Sequence, residues 1–272
     1  MNRALSEELV HVGFVWEKTL LGCAILPHHK AEMNTLYSHY KANRDLVDAT
    51  AGQLSYFARF VREYLPSTLD ARILDLGCGG GSLLAFLSRC GYENLFGVEQ
   101  RPDAAQIALQ RAGCSVKNEE IISFLGATRE LYDCIILFDV LEHVAPEQLT
   151  TVSLLLERHL SPSGVVVLHI PNAAGIFGNR VRYSDLTHFQ AFTPESIRQF
   201  ASYGSMDVVA IAEDCPVVHG LISGGRYILW KLLTMPFRFV FAAETGVLNL
   251  GYPMSQNFTA VLRKASGPDL TS

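Results

Sequence analysis

The chain has 272 residues, of which 49% are hydrophobic and 18% charged, and its formal net charge at pH 7 is −5. This composition is sufficient for one large buried α/β core and excludes wholesale disorder. The acidic balance argues against nucleic acid as the main partner, because phosphate binding needs a basic face.

The cysteines and the N-terminal residues indicate the compartment. The six cysteines form no C-x-x-C pair, which argues against a zinc ribbon or a thioredoxin-type site, and several lie in apolar runs. We therefore expect reduced thiols in a cytoplasmic protein. Glu7 and Glu8 make the N-terminus a poor signal peptide, and no apolar run predicts a membrane-spanning helix.

The hydrophobic pattern changes near residue 70. The first 69 residues predict a helical region, in which apolar residues between Tyr56 and Leu65 recur at helical spacing before Pro66. From Arg72 onward, short apolar runs alternate with amphipathic stretches, which is typical of βαβ units. The predicted strands are residues 72–76, 94–99, 115–117, 132–138, 164–170, 206–212 and 257–263, and helices are expected to start near Gly81, Pro102, Pro146 and Pro194.

These elements predict an α/β fold with a Rossmann-like, seven-stranded, mostly parallel sheet and helices on both faces. The expected units are an N-terminal helical region at 1–69, a domain at 70–265 and a tail at 266–272. Within the domain we expect a substrate-side loop at 171–193 and an apolar, C-terminal helical insertion at 221–250. Residues 1–34 carry no pattern that assigns them a role.

A glycine-rich turn follows the first predicted strand, in the order Asp75-Leu76-Gly77-Cys78-Gly79-Gly80-Gly81. Glycines let a backbone approach a ligand closely, and the following helix offers free N–H groups at its start. Glu99 ends the next strand 22 residues after Gly77 (99 − 77), which is the spacing of a ribose-binding acid. Ser82 occupies the third glycine position of a dinucleotide fingerprint and counts against an NAD-type oxidoreductase.

Residues 70 to about 170 resemble the core of class I S-adenosylmethionine-dependent methyltransferases. The resemblance is carried by residues 73–81, 97–99, 118–120, 132–144 and 160–164. It implies S-adenosyl-L-methionine as cofactor and S-adenosyl-L-homocysteine as product, with Asp75 at the methionine end and Glu99 at the ribose. The implied cofactor-binding residues are Asp75, Gly77, Cys78, Gly79, Glu99, Gln100, Glu119 or Glu120 at the adenine, Phe138 and Asp139.

A narrower resemblance covers the second half of the chain. Residues 171–173, 180–195, 216–220, 243–246 and 255–257 are similar to a subgroup associated with bacterial surface-polysaccharide biosynthesis. The resemblance implies O-methylation of a sugar or glycan precursor. Methylation of a quinone, phenolic or natural-product acceptor stays open, and so do an NAD-type oxidoreductase and a non-catalytic cofactor-binding protein.

Candidate catalytic residues follow the fourth and fifth strands, because ligands lie beyond the carboxyl ends of strands in open α/β sheets. A hydroxyl acceptor needs a base, and we expect His188 in that role, oriented by Asp185. Packing against the next helix is the alternative for His188. Glu142 and His143 are candidates for an acid/base pair, with a substrate-facing or helix-capping pair beside the cofactor as the alternative. A metal site would need a third protein ligand, so no metal is predicted.

Two further groups concern the acceptor. Arg180, Arg182 and Tyr183 are candidates for gripping an anionic substrate group, with a solvated loop face as the alternative. His169 lies inside an apolar strand and predicts a satisfied core histidine.

Basic and bulky apolar residues alternate over 226–241, where Arg226, Lys231 and Arg238 carry the charges and Pro236 divides the segment. The pattern predicts peripheral contact with a membrane through anionic head groups, near a lipid-linked glycan acceptor. A homodimer interface or a lid over the pocket is the alternative.

Overall fold

A computed structural model describes residues 50–246 and 248–265. Within these ranges the chain forms a seven-stranded sheet in the order β3-β2-β1-β4-β5-β7-β6. The strands are β1 (Arg72–Leu76), β2 (Asn94–Glu99), β3 (Ser115–Asn118), β4 (Tyr132–Phe138), β5 (Leu160–Pro171), β6 (Met206–Glu213) and β7 (Asn257–Lys264).

The helices connect these strands along the described chain. They are α1 (Ala51–Tyr64), α2 (Ser82–Arg89), α3 (Pro102–Ala112), α4 (Ile121–Ala127), α5 (Leu149–Arg158), α6 (Gly178–Arg182), α7 (Pro194–Tyr203) and α8 (Leu221–Thr245). Two 3-10 turns, Leu141–His143 and Pro146–Gln148, lie between β4 and α5.

The predicted Rossmann-like sheet is confirmed. Strands β1 to β5 pair in parallel, and β7 runs antiparallel to both β5 and β6. The carboxyl ends of β1 to β6 therefore share one edge with the start of β7. All seven predicted strands are present, and the largest difference is that β5 begins at Leu160 rather than at Gly164.

Neighbouring residues along each central strand fill opposite cores, because successive strand side chains point to opposite faces. Leu74 and Ile135 pack in one cluster with helices α4, α5 and α7, whereas Ile73 and Ile136 pack in the other with α1, α2 and α3. Apolar residues at consecutive positions are thus explained by a sheet that is covered on both faces.

Helix α1 begins at a capping box, in which the Thr50 hydroxyl accepts from Gln53 N–H and the Gln53 side chain accepts from Thr50 N–H. Phe57 and Phe60 bury its apolar side against the sheet. The helix carries Gln53 and Tyr56 to the carboxyl edge of the strands. The other part of the predicted helical region, residues 1–49, and the predicted tail at 266–272 lie outside the described residues.

The predicted apolar insertion is a single helix, α8, and the expectation that Pro236 divides it is wrong. Proline removes one N–H and crowds the preceding turn, but Pro236 lies on the exposed side of α8, away from its anchored side. None of the described helices combines the length and the apolar character needed to cross a bilayer.

Candidate active site

The glycine-rich turn between β1 and α2 is tightly packed. Gly77 has a φ of 74°, and a Cβ there would lie 2.6 Å from Cγ2 of Val140. Gly81 has a φ of 73°, and its Cβ would lie 2.8 Å from the Cα of Ala108. Larger residues at either position would be strained and would clash, so these glycines hold the turn against β4 and α3.

Two adjoining cavities open at the carboxyl edge of the sheet. The large cavity has a volume of about 660 Å³, and the small cavity has about 90 Å³. Gly77 and His143 line both. Predicted site residues in the large cavity are Asp75, Gly77, Cys78, Gly79, Phe138, Asp139, Glu142, His143, Arg180, Asp185 and His188, and those in the small cavity are Gly77, Glu99, Gln100, Glu120 and His143.

Asp75 and Glu99 lie on the two sides of the glycine-rich turn, and both are buried. Oε2 of Glu99 accepts from Gly79 N–H and Oε1 accepts from Arg101 N–H, each at 2.9 Å. Burial, and to a lesser extent the charge of Glu99, raises the pKa of Asp75 to about 7. Asp75 is therefore a carboxyl group that a nearby cation would ionise.

The large cavity is rich in acidic groups. Asp75, Asp139, Glu142, Asp185 and Asp214 line it, whereas the basic residues on its wall are Arg180 and the histidines. Asp139 and Asp214 are balanced within the wall by His169 and Arg59, and the other three acids leave a lining that favours a cationic ligand over a pyrophosphate, because opposite charges within a few ångströms stabilise each other.

His169 has a larger role than the sequence indicates. It is buried, as predicted, but it also lines the large cavity and stacks on Phe138 with ring centroids 4.2 Å apart. Its Nδ1 lies 2.6 Å from Oδ1 of Asp139, and its Nε2 lies 3.5 Å from Oδ2 of Asp214. Burial alone would lower the pKa of His169, but the two carboxylates outweigh it and raise the pKa to about 10.

Asp214 is a wall residue that sequence reasoning missed. Asp214 follows β6 and binds the guanidinium of Arg59 at 2.7 Å, which fixes α1 beside the large cavity. Tyr56 and Phe57 of α1 complete the wall next to Phe138. The sequence signal that could have identified Asp214 is its position directly after the carboxyl end of a predicted strand.

Glu142, His143 and His188 form one cluster, in which one ligand atom from each lies within 4.8 Å of the others. The third side chain that a metal site requires is thus present, and the cluster suits either acid–base chemistry or a metal ion. Nε2 of His188 lies 3.9 Å from Oε1 of Glu142 and 3.8 Å from Oδ2 of Asp185. Burial lowers the pKa of His188 despite the opposing effect of Asp185.

Thr187 connects Asp185 to the other histidine. The Thr187 hydroxyl donates to Oδ1 of Asp185 at 2.6 Å, so its oxygen accepts from Nδ1 of His143, which lies 2.9 Å away. This assigns the hydrogen of neutral His143 to Nδ1 and directs Nε2 as the acceptor nitrogen. Asp185 therefore orients His143 through a hydrogen-bonded chain, whereas its contact with His188 is longer than a hydrogen bond.

The structure separates the three predicted substrate residues. Arg180 lines the large cavity and donates to Oε1 of Gln256 at 3.0 Å. Arg182 instead donates to the carbonyl of Phe189 at 2.7 Å and braces the loop, while Tyr183 is 72% exposed. Neither Arg182 nor Tyr183 lines the described cavities. Of the two acids proposed for the adenine, Glu120 lines the small cavity and Glu119 does not.

The basic residues of α8 also differ from expectation. Nη2 of Arg238 lies 2.9 Å and Nζ of Lys231 3.0 Å from the carboxylate of Glu213, at the end of β6. Arg238 is buried, so the predicted attraction of this residue to anionic head groups is wrong. Of the three predicted basic residues, Arg226 is exposed and Lys231 is half-exposed.

The strand order, the glycine-rich turn and the acid at the end of β2 define the Rossmann-like methyltransferase fold. The methyltransferase domain family matches residues 49–203, which is more than half of the chain. The chain therefore belongs to the methyltransferase domain family, and the predicted class is confirmed.

The individual relatives are a curated sequence and solved structures of methyltransferases. The chain is 28% identical over 128 residues to the ubiquinone biosynthesis O-methyltransferase of Rickettsia prowazekii, which is 44% of this chain and 48% of that protein. It thus spans about half the length of the curated relatives it matches. Among solved structures, an S-adenosylmethionine-dependent methyltransferase from Archaeoglobus fulgidus aligns with a TM-score of 0.59 at 19% identity, covering 85% of this chain and 99% of the other.

The N-methyltransferase NodS from Bradyrhizobium japonicum, in complex with S-adenosyl-L-homocysteine, aligns with a TM-score of 0.56 at 16% identity. The alignment covers 87% of this chain and 98% of NodS. At such identities the likeness concerns the fold.

Proposed function

We propose that this protein transfers a methyl group from S-adenosyl-L-methionine to a hydroxyl oxygen of a small or lipid-linked acceptor. The observation that carries the proposal is the pair of buried carboxyl groups, Asp75 and Glu99, on either side of a glycine-rich turn that opens into an acidic cavity. The cofactor carries an ammonium and a sulfonium, which are the charges that such a cavity favours. It supplies an activated methyl group when bound.

The residues of this chain would divide the cofactor between the two cavities. Asp75 would receive the ammonium of the methionine end, and Glu99 would accept from the ribose hydroxyls. Glu120 would lie at the adenine, since it lines the small cavity and Glu119 does not. The backbone at Gly77, which lines both cavities, would lie against the junction between nucleoside and amino acid.

The histidine cluster would remove the proton of the acceptor hydroxyl. His188 is a base candidate because burial lowers its pKa and keeps it neutral near pH 7. Its Nδ1 lies 3.1 Å from the carbonyl of Val181, so Nε2 is the nitrogen that would take the proton. His143 is the second candidate, with Nε2 directed by the chain through Thr187 to Asp185.

Two acceptor classes are supported by different observations. The narrower resemblance of the second half supports a sugar or glycan precursor. The curated relatives are named for ubiquinone biosynthesis, which supports a quinone-type phenolic hydroxyl. Both classes include lipid-linked molecules. Peripheral contact with a membrane through residues 226–241 would bring the enzyme and such an acceptor together. The alternative role for this segment is a homodimer interface.

The test is an acceptor screen that follows release of S-adenosyl-L-homocysteine with glycan-precursor and phenolic arms. We expect turnover with one arm, and a loss of about 100-fold in kcat for His143→Ala or His188→Ala, whichever is the base. Retained activity after EDTA treatment supports the acid–base role of the cluster over a metal site. If no arm supports turnover and the protein does not bind the cofactor, the proposal is wrong.

A further inference from the structure

Helix α8 has one side anchored to the sheet and one side exposed. Its buried residues are Ser223, Thr234 and Arg238. Arg238 and Lys231 both bind Glu213, and Nη1 of Arg238 also donates to the Thr234 hydroxyl at 2.5 Å. The side of α8 that faces the sheet therefore carries Lys231 and Arg238. In an ordinary surface helix the charged side chains face the solvent and the apolar side chains face the core.

The opposite side of α8 is almost entirely apolar. Its exposed large apolar side chains, which we call the apolar arc, are Leu221, Ile222, Ile228, Leu229, Leu232, Leu233, Met235, Phe237, Phe239 and Val240. At 3.6 residues per turn they span about 200° of the helix circumference. Arg226 and Glu244, of opposite charge, lie near one edge of the arc, between the angular positions of Leu233 and Phe237 and toward opposite ends of α8; no other charged residue of α8 lies within the arc.

We propose that the apolar arc docks on a lipid surface, with α8 lying in the plane of the membrane interface. A helix half immersed among acyl chains needs an apolar arc of about this width. A second copy of this chain would fit less well, because a helix–helix seam occupies an apolar stripe of roughly 100°. An antiparallel pair of α8 helices would leave about half of the arc in water.

The distribution of charge on α8 favours contact with the acyl region over contact with anionic head groups. Arg238 is buried against Glu213, and Lys231, whose side chain is 43% exposed beside the arc, binds the same carboxylate, so neither charge is left unbalanced for anionic head groups. Apart from Arg226 and Glu244, whose opposite charges leave no net charge, the arc is uncharged and is complementary to the uncharged acyl region. Docking should therefore depend on apolar burial and respond little to salt or to the charge of the membrane, in contrast to a polybasic segment.

The position of α8 connects the arc to the candidate active site. Glu213, which anchors α8, also accepts from Met254 N–H at 2.9 Å and directly precedes Asp214 in the cavity wall. Docking through α8 would hold this wall near the membrane, where an acceptor with an apolar tail resides. The docking surface itself does not depend on methyl transfer; only its use in presenting the acceptor rests on the proposed function.

Flotation with neutral phosphatidylcholine vesicles tests the surface directly. We expect the full chain to float with these vesicles, and to change its partition less than about threefold between about 0.1 and 0.5 M NaCl or on addition of anionic phosphatidylglycerol. Leu229→Gln with Leu232→Gln, at the centre of the arc, should lower the partition at least tenfold. Leu232→Gln alone should give a smaller loss.

The matched control is Leu109→Gln with Leu154→Gln, because these leucines on α3 and α5 are similarly exposed but lie outside the arc. It should float as the wild type does. Affinity for S-adenosyl-L-homocysteine should be equal in all variants, which separates loss of docking from loss of the fold or of the proposed function. If the wild type does not float with neutral vesicles, the proposal is wrong, whether the protein sediments as a dimer or as a monomer. Equal flotation of the two double variants would also overturn it.

Discussion

The two halves of the carboxyl edge are built differently. On the side proposed to bind the cofactor, around β1 and β2, the important contacts are with backbone groups: Glu99 accepts from Gly79 and Arg101 N–H, and the Val98 carbonyl accepts from Gly77 and Cys78 N–H. On the acceptor side, side chains bind other side chains that are distant in sequence.

Three pairs illustrate the acceptor side. His143 binds Thr187, which is 44 residues away, and His169 binds Asp139 across 30 residues. Arg59 reaches Asp214 across 155 residues. The comparison teaches that a cofactor site can be encoded locally by one turn and one strand end, whereas the chemistry of the acceptor side depends on how loops meet in the fold.

The largest expected effect concerns His169, which holds the acceptor side together. His169→Gln leaves Asp139 and Asp214 facing a neutral group, and we expect it to lower the free energy of unfolding by about 3 kcal/mol at pH 7. Because the folded state raises the pKa of His169 to about 10 from its ordinary value of 6.5, the stabilisation is complete below pH 6.5 and is lost as the pH rises toward 10.

Urea denaturation at several pH values between 6 and 9.5 measures this effect. The difference between wild type and His169→Gln should shrink with pH, by up to about 1.4 kcal/mol per unit. His159→Gln is the matched control, since His159 is equally buried but lies against two backbone carbonyls. A difference for His169 that is constant across pH would contradict the charged bridge.

The next effect concerns the cofactor side. Glu99→Ala removes a charged acceptor from the proposed ribose site and from the turn, and we expect a loss of about 1.5 to 3 kcal/mol, or about 10- to 150-fold in affinity for S-adenosyl-L-homocysteine. Glu119→Ala should have little effect, because Glu119 does not line the small cavity. Equal affinities for wild type and Glu99→Ala in titration calorimetry would show that the ligand binds elsewhere.

The same contrast explains what the sequence could predict. The strand pattern, the glycine-rich turn and the position of Glu99 are local, so the sheet and ten candidate cofactor residues followed from spacing and resemblance; of those ten, Glu119 is not on the cavity wall. The role of Thr187 could not be predicted, because its hydroxyl meets His143 only when the loop after α6 packs against the loop after β4.

The acceptor side produced the misplaced residues for the same reason. Arg182 has the chemistry of an anion-binding residue, but its hydrogen bond to the Phe189 carbonyl keeps it in the loop. Arg238 has the spacing of a lipid-facing cation, but Glu213 draws it inward. In both cases a hydrogen-bond partner, seven residues away for Arg182 and 25 residues away for Arg238, decides where a long side chain lies.

The most direct test of the cofactor site is titration calorimetry of S-adenosyl-L-homocysteine between pH 5 and 8.5. The ligand ammonium favours ionised Asp75, whose pKa without ligand is about 7. We therefore expect affinity to be constant above pH 8 and to fall by up to about tenfold per unit below pH 7. Asp75→Asn should bind more weakly and without this pH dependence. Absence of binding at every pH, or the same pH profile in Asp75→Asn, would contradict the assignment of the site.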